Sequence, residues 1–297
     1  MMKHTFGEWM TAVRPWSFPA SAMPVVVTLG WLFSENADVC WTNGVWALLN
    51  IIIFHAAGNT WSDYFDFRKH VDDKDTFGVR TLTSGMFSKK EIFWLSVSLL
   101  AVAVAAGIGL LLRTGLPLLY IGIGGALCSV LYPFLKYRAL GELVIFAAYA
   151  FLPALGTVYV ATLEIDWSSL YIAVPVGLIT VAILHCNNLR DIATDSRAKI
   201  STLAMKLGGK LSVWLYCFEI IFPFLWISGC VIAGIFPVWC LIVWLAAVPA
   251  AGNVRMALAY FKEGAAAIAR LDEATAKLQL VFSLIFSATF FLAGIMA

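Results

Sequence analysis

Asn59, Asp63 and Asp66 follow one another at intervals of four and three residues, and Asn187, Asp191 and Asp195 at intervals of four and four. On a helix, each set falls in a narrow stripe on one face. Both sets close long apolar runs, where an ionisable group is costly and marks function by default. Two acidic stripes repel each other unless a cation bridges them. Oxygen ligands of this kind suit Mg2+, which keeps several waters and is held by a few carboxylates together with substrate phosphates. Asp63, Asp66, Asp191 and Asp195 are therefore the candidate catalytic acids. With Asn59, Asn187 and the loop acid Asp72 they form the candidate metal set. The cations trailing the stripes, Arg68, Arg80, Arg138, Arg190 and Lys199, suit the oxygens of a phosphate group. Asn188 and His55, the latter one turn before Asn59, are candidates for substrate contact. For His55 a packed structural histidine is the competing reading.

The elements that must position these residues are membrane helices. Of 297 residues, 61% are hydrophobic and only 13% charged, which excludes an ordinary soluble domain. Runs of the length needed to span a bilayer lie near 17–33, 44–62, 91–112, 114–132, 140–161, 168–189, 212–234, 236–259 and 275–295. With a cytoplasmic N-terminus, every Lys and Arg except Arg113 falls in a cytoplasmic segment, so the charge rule predicts N-in, C-out and puts both acidic stripes at the cytoplasmic face. Residues 1–16 lack the apolar core of a signal peptide, so insertion is expected through the first span.

The remaining signals exclude other classes. A net charge of +2 gives no sign of nucleic-acid binding. The six cysteines show no C-x-x-C spacing and read as small core residues. Gly209-Lys210 lacks the first glycine and the Ser or Thr of a P-loop, which argues against nucleotide hydrolysis. The chain reads as one domain, 1–297, with two similar four-helix units and a ninth helix, because each stripe opens a long polar loop (63–90 and 190–211) four spans apart. Such loops are often functional caps. A metal or lipid-phosphate carrier would use the same ligands, but a metal transporter predicts acids deep in several spans. Only Glu219 lies well inside an apolar run, and it is assigned no role, nor is His185.

Metal, phosphate-binding cations and an apolar chamber together suit a lipid diphosphate, with its tail among the helices. Loss of diphosphate from an allylic carbon leaves a cation. Metal and Arg or Lys would stabilise the leaving charge, and aromatic faces would shelter the cation.

At these residues the chain resembles the UbiA superfamily of intramembrane aromatic prenyltransferases. Asn59-Thr-Trp-Ser-Asp63-Tyr-Phe-Asp66 resembles its first aspartate-rich motif, and Arg80-Thr-Leu-Thr-Ser-Gly85 the segment after it. Asn187-Asn188-Leu-Arg190-Asp191-Ile-Ala-Thr-Asp195, with Lys199-Ile-Ser-Thr202, resembles the second motif in its menaquinone-branch form. Arg14-Pro15-Trp-Ser-Phe-Pro19, Tyr137-Arg138-Ala-Leu-Gly141-Glu142 and Leu155-Gly-Thr157 are similar to that branch too. There are two departures. Ser62 stands where the branch usually has Asn. The third acid falls at Asp72, while His70 occupies the position used by the 4-hydroxybenzoate enzymes.

The resemblance implies an all-α membrane protein of about nine helices around a central chamber, capped by the two cytoplasmic loops. It implies Mg2+-dependent transfer of a polyprenyl group from its diphosphate to 1,4-dihydroxy-2-naphthoate, with loss of carbon dioxide, in the cell (inner) membrane. Other acceptors of the superfamily, such as 4-hydroxybenzoate, homogentisate or geranylgeranylglyceryl phosphate, remain alternatives.

Overall fold

The computed structural model describes residues 4–68, 81–197 and 200–297. Asp72, Arg80 and Lys199, expected at the site, lie outside the described residues. Among those described the chain is helical, with one isolated bridge between Arg138 and Ser201. The helices are α1 (Phe6–Val13), α2 (Pro19–Ser34), α3 (Trp41–Arg68), α4 (Lys89–Thr114), α5 (Pro117–Leu135), α6 (Gly141–Phe146), α7 (Leu152–Thr162), α8 (Leu170–Arg190), α9 (Ile192–Arg197), α10 (Leu203–Ile232), α11 (Ala247–Glu263) and α12 (Leu271–Met296).

Local sequence explains most of the boundaries. Pro19 and Pro117 open α2 and α5 at positions whose N–H has no partner inside the helix. Thr5 with Glu8, and Ser88 with Glu91, form reciprocal capping boxes at α1 and α4. The rod from Gly141 to Thr162 is interrupted by a π-helical turn at Ala147–Phe151.

Seven stretches among the described residues are long and apolar enough to cross a membrane, or up to eight if the bent pair Phe6–Ser17 and Pro19–Ser34 counts as one. The protein is thus a multi-pass membrane protein, but these criteria alone do not reach the nine spans expected. The expected span at 44–62 lies in α3, which at 28 residues is long enough. Asn50, His55, Asn59 and Asp63 dilute its hydropathy, because that helix carries half of the polar chemistry.

The two sides of the bundle pack differently. Leu29, Trp31, Ile179, Tyr216, Phe282, Phe286 and Phe290 interlock in a core that joins α2, α8, α10 and α12. Within it His185 Nδ1 lies 3.0 and 3.1 Å from the Glu219 carboxylate oxygens, so that acid is partnered locally. The apolar stretch of α8 is 67% buried inside the protein, whereas that of α5 is only 6% buried, so α5 turns mostly to lipid. The cysteines are all free; four are buried, Cys128 is half-buried and Cys40 is exposed. Cys40 is therefore not the core residue expected. It lies between α2 and α3, outside the apolar run that follows.

Candidate active site

The second half of α3, the end of α5, the end of α8 with α9, and the start of α12 converge on one face, where they enclose a cavity of about 500 Å³. Asn59, Asp63, Asp66, Asn187, Asn188, Arg190, Asp191, Asp195 and His55 all line it. Arg68 and Arg138 do not line it and are exposed.

Helix α3 runs unbroken through its stripe. Asp63 pairs with Arg14 and accepts a hydrogen bond from Thr81 Oγ1 at 3.2 Å. Asp66 accepts from Lys136 Nζ at 2.6 Å, from Ser62 Oγ at 3.2 Å and from the Tyr137 hydroxyl. Asn59 Nδ2 donates to Val13 O and Ser17 Oγ, both at 3.0 Å, and so ties the N-terminal segment to the stripe. Arg14 sits in the left-handed region (φ 56°), between α1 and the short 3-10 turn Pro15–Ser17. That bend turns the chain back over α3 and delivers the guanidinium to Asp63.

The second stripe is not one helix. Helix α8 ends at Arg190, Asp191 leaves helical geometry (φ −95°, ψ 11°), and α9 begins at Ile192. The i,i+4 register nevertheless survives, because Asp191 N donates to Asn187 O and Asp195 N to Asp191 O, both at 2.9 Å. Arg190 grips Asp191 in a two-pronged pair at 2.8 and 2.9 Å, and its other nitrogen reaches Asp272 Oδ2 at 2.9 Å. Asn188 Nδ2 donates to Glu142 Oε1 at 2.8 Å.

Charge in the cavity is unbalanced. The lining carboxylates of Asp63, Asp66, Asp191, Asp195, Asp272 and Glu273 outnumber the cations Arg14, Lys136 and Arg190 among the described residues by two to one. Asp195 reports the excess. Burial, and then Asp191 beside it, push its carboxyl up to about 7; Asp66, across the cavity, adds to this, while Lys136 and Arg190 oppose it. The buried Asn187 Oδ1 has no hydrogen-bond partner among the described residues, although such an acceptor is costly unpaired. No three His, Cys, Asp or Glu side chains among the described residues close on a point as a metal cage. The donor set fits instead a hard cation shared between carboxylates, amide oxygen, water and a bound phosphate group.

A second cavity of about 310 Å³ opens off the first between α3, α4, α5 and α7, and its walls are largely aliphatic. His55, Ser129, Ala148 and Tyr149 line both.

Sequence reasoning missed Arg14, Lys136, Asp272 and Tyr149. In the sequence Lys136 reads only as a topology charge, Arg14 as a topology charge that also opens a family-like motif, and Asp272 is given no role. For Arg14, Lys136 and Asp272 the available signal was position, because each stands at the same end of its helix as the two stripes; Tyr149, in the middle of its span, carried no such signal.

The fold and site together define a multi-pass membrane protein with a charged cavity leading into an apolar one. The model of the UbiA prenyltransferase family matches residues 22–282, and the chain belongs to that family. Over 228 residues it is 34% identical to the UbiA prenyltransferase domain-containing protein 1 homolog of Drosophila melanogaster, an overlap that covers 73% of this chain and 62% of that protein. Over 220 residues it is 32% identical to the 1,4-dihydroxy-2-naphthoate octaprenyltransferase of Mycobacterium tuberculosis, covering 71% of this chain and 74% of that protein. The matched stretch thus spans less than two thirds of the Drosophila relative. The solved structure of a UbiA homolog from Archaeoglobus fulgidus bound to GPP and Mg2+ shares the fold with a TM-score of 0.58 at 13% identity, covering 95% of this chain and 99% of that one.

Proposed function

We propose that the protein transfers a polyprenyl group from polyprenyl diphosphate to 1,4-dihydroxy-2-naphthoate, with loss of carbon dioxide, in a reaction that depends on Mg2+. The observation that carries this reading is the joined pair of cavities. A head-group chamber with excess carboxylate and three buried or half-buried cations continues into an aliphatic one, which is the shape of a lipid diphosphate. The naphthoate acceptor is supported by the Asn187–Asp195 motif and by the name of the mycobacterial relative. The bound GPP and Mg2+ of the archaeal homolog support the donor and the metal.

The chain's own residues divide the work. Arg14, Lys136 and Arg190 face the diphosphate and stabilise charge that develops on it as the C1–O bond breaks. Asp63, Asp66, Asp191 and Asp195, with Asn187, hold Mg2+, which when bound neutralises the leaving diphosphate. The aliphatic walls exclude water from the allylic carbon. The electron-rich ring of the acceptor attacks that carbon, and its carboxylate departs as carbon dioxide. Because nearly all cationic residues fall on the same side as the stripes, the site faces the cytoplasm in this reading.

The test is purified protein in detergent with Mg2+ and geranylgeranyl diphosphate, offered either 1,4-dihydroxy-2-naphthoate or 4-hydroxybenzoate, and scored by mass spectrometry. A prenylated product lighter by carbon dioxide, from naphthoate alone and lost with chelator, is expected. Product from hydroxybenzoate alone overturns the acceptor, and diphosphate binding without product from either overturns transfer to these acceptors.

A further inference from the structure

The two cavities meet at a throat, and what lines the throat faces the bond that breaks. A lipid diphosphate spanning both cavities has its charged group among the carboxylates and cations and its hydrocarbon among the aliphatic walls. Its C1–O bond then lies where they join. Four residues line both sides: His55, Ser129, Ala148 and Tyr149. Ala148 offers only a methyl group, with no π face or lone pair to stabilise a carbocation, and the Ser129 hydroxyl would trap one by adding to it. His55 is already engaged at both ring nitrogens, with Ser21 Oγ 2.8 Å from Nδ1 and Ser17 Oγ 3.2 Å from Nε2.

Tyr149 is the remaining member, and the geometry points to it as a catalytic residue. We propose that the ring face of Tyr149 stabilises the allylic cation at C1 as the diphosphate leaves. Three observations converge on this. The residue sits in the middle of the π-helical turn Ala147–Phe151, a local irregularity that is frequent at functional sites because it re-aims a side chain. His55 braces it edge-on, with ring centroids 4.8 Å apart and planes at 79°. Its hydroxyl lies over Gly58, 3.7 Å from where a Cβ would stand, next to the Asn59 that anchors the N-terminal segment. The ring is thus fixed between the metal stripe and the apolar chamber. In the step concerned, the C1–O electron pair leaves with diphosphate, the positive charge spreads over the allyl unit, and the acceptor ring later supplies the pair that forms the new bond. Tyr149 takes part in no bond change; it lowers the energy of the cation by its quadrupole, an effect that grows when water is excluded. His55, acting through Tyr149, is a positioning residue.

This inference rests on the prenyl-transfer reading, and the experiment separates the two. Transfer would be measured for Tyr149→Phe, for Tyr149→4-fluorophenylalanine and Tyr149→3,5-difluorophenylalanine, and for Tyr149→Leu. In parallel, calorimetry would follow binding of an allylic tertiary amine, cationic at pH 7, in the presence of inorganic pyrophosphate. Tyr149→Phe should keep kcat within about threefold, and each fluorine should lower it stepwise as the ring loses π density. Tyr149→Leu should lose about thirtyfold in kcat, or ~2 kcal/mol at a tenfold change per 1.36 kcal/mol, with KM for the prenyl diphosphate within about threefold. The amine should bind the Leu variant about thirtyfold more weakly than the native protein. A flat fluorine series, a Leu variant with native kcat and native amine affinity, or a Phe variant as poor as Leu each overturns the proposal. If the native protein makes no prenylated product, the transfer reading fails by itself, and the amine affinities still decide whether Tyr149 presents a cation-binding face.

Discussion

The two acidic clusters reach the same cavity by opposite routes. In the first, the helix is straight and the counter-ions are imported: Arg14 comes from the bend before α2, and Lys136 from just past the end of α5. In the second, the counter-ion is a sequence neighbour, Arg190 on Asp191, and it is the helix that bends. Asp195 is left without an ion-pair partner among the described residues, and its carboxyl is raised. Both aspartates of the first cluster thus have a cation partner before any ligand arrives, whereas the second cluster keeps an acid poised to take up positive charge. If the proposed function holds, a divalent cation would gain most at the second cluster, and an arriving diphosphate would have to draw Arg14 and Lys136 away from the first.

The largest effects should come from removing one acid in each cluster. Asp63→Asn and Asp191→Asn should each lower transfer by at least about 100-fold, the scale seen when a preorganised group acting on developing charge is lost. Mass-spectrometric product formation by monodisperse variants checks this. An active Asp191→Asn protein beside an inactive Asp63→Asn protein would confine the metal to the first cluster and break the comparison. Next in size is the imported cation. Arg14→Gln removes charge-assisted hydrogen bonds worth about 1.5–3 kcal/mol each, so kcat/KM for the prenyl diphosphate should fall about thirtyfold at a tenfold change per 1.36 kcal/mol. Arg138→Gln, exposed and away from the cavity, should change little, and an equal loss in both would show that general surface charge, and not the imported contact, was being read.

The sequence carried the stripes because helical spacing is a local property, and Asn59, Asp63, Asp66, Asn187, Asp191 and Asp195 could all be placed on common faces from their numbers alone. The cations at the site were less legible, because proximity in sequence is a poor guide to proximity across a bundle. Arg68, two residues from Asp66, turns to solvent, while Lys136, seventy residues away by its hydrogen bond, reaches the same carboxylate. The kink at Asp191 carries no proline or glycine signal; it arises where the chain leaves the apolar core and Arg190 turns to meet both Asp191 and Asp272. Tyr149 could not be singled out among nine tyrosines. The role proposed for it rests on a π-turn and on two cavities that only the packed helices create.

A smaller effect distinguishes the clusters by pH. The Asp195 carboxyl is raised from its ordinary value of 3.8 to about 7, so between those values the metal-free folded protein holds a proton that the unfolded chain has released. Stability contributed by that proton is present below about pH 4 and is lost as pH rises through 7. The melting temperature of metal-free protein should therefore decline between pH 5 and pH 8, and saturating Mg2+ should reverse the decline by binding the ionised form. Asp195→Asn should flatten the profile, whereas Asp66→Asn, already compensated by Lys136, should leave most of it. Equal flattening by both substitutions would mean that the two clusters share the burden evenly.

The finest distinction concerns Ser62, which stands where the resembling branch usually carries an amide. Its hydroxyl donates to Asp66 Oδ2 at 3.2 Å and accepts from Lys136 Nζ at 3.4 Å, so it bridges an ion pair that already exists. Asp66 also receives Lys136 directly and the Tyr137 hydroxyl. Removing one neutral hydrogen bond from a carboxylate so well supplied costs only about 1 kcal/mol. Ser62→Ala should then lower kcat/KM by about fivefold at most, by the same tenfold-per-1.36 conversion, and Ser62→Asn should restore it, since an amide supplies both a donor for Asp66 and an acceptor for Lys136. Steady-state kinetics at saturating acceptor would measure this. A loss near that of Asp66→Asn would show that the first cluster depends on Ser62 to hold Asp66 in place, and that it is less settled than its ion pairs suggest.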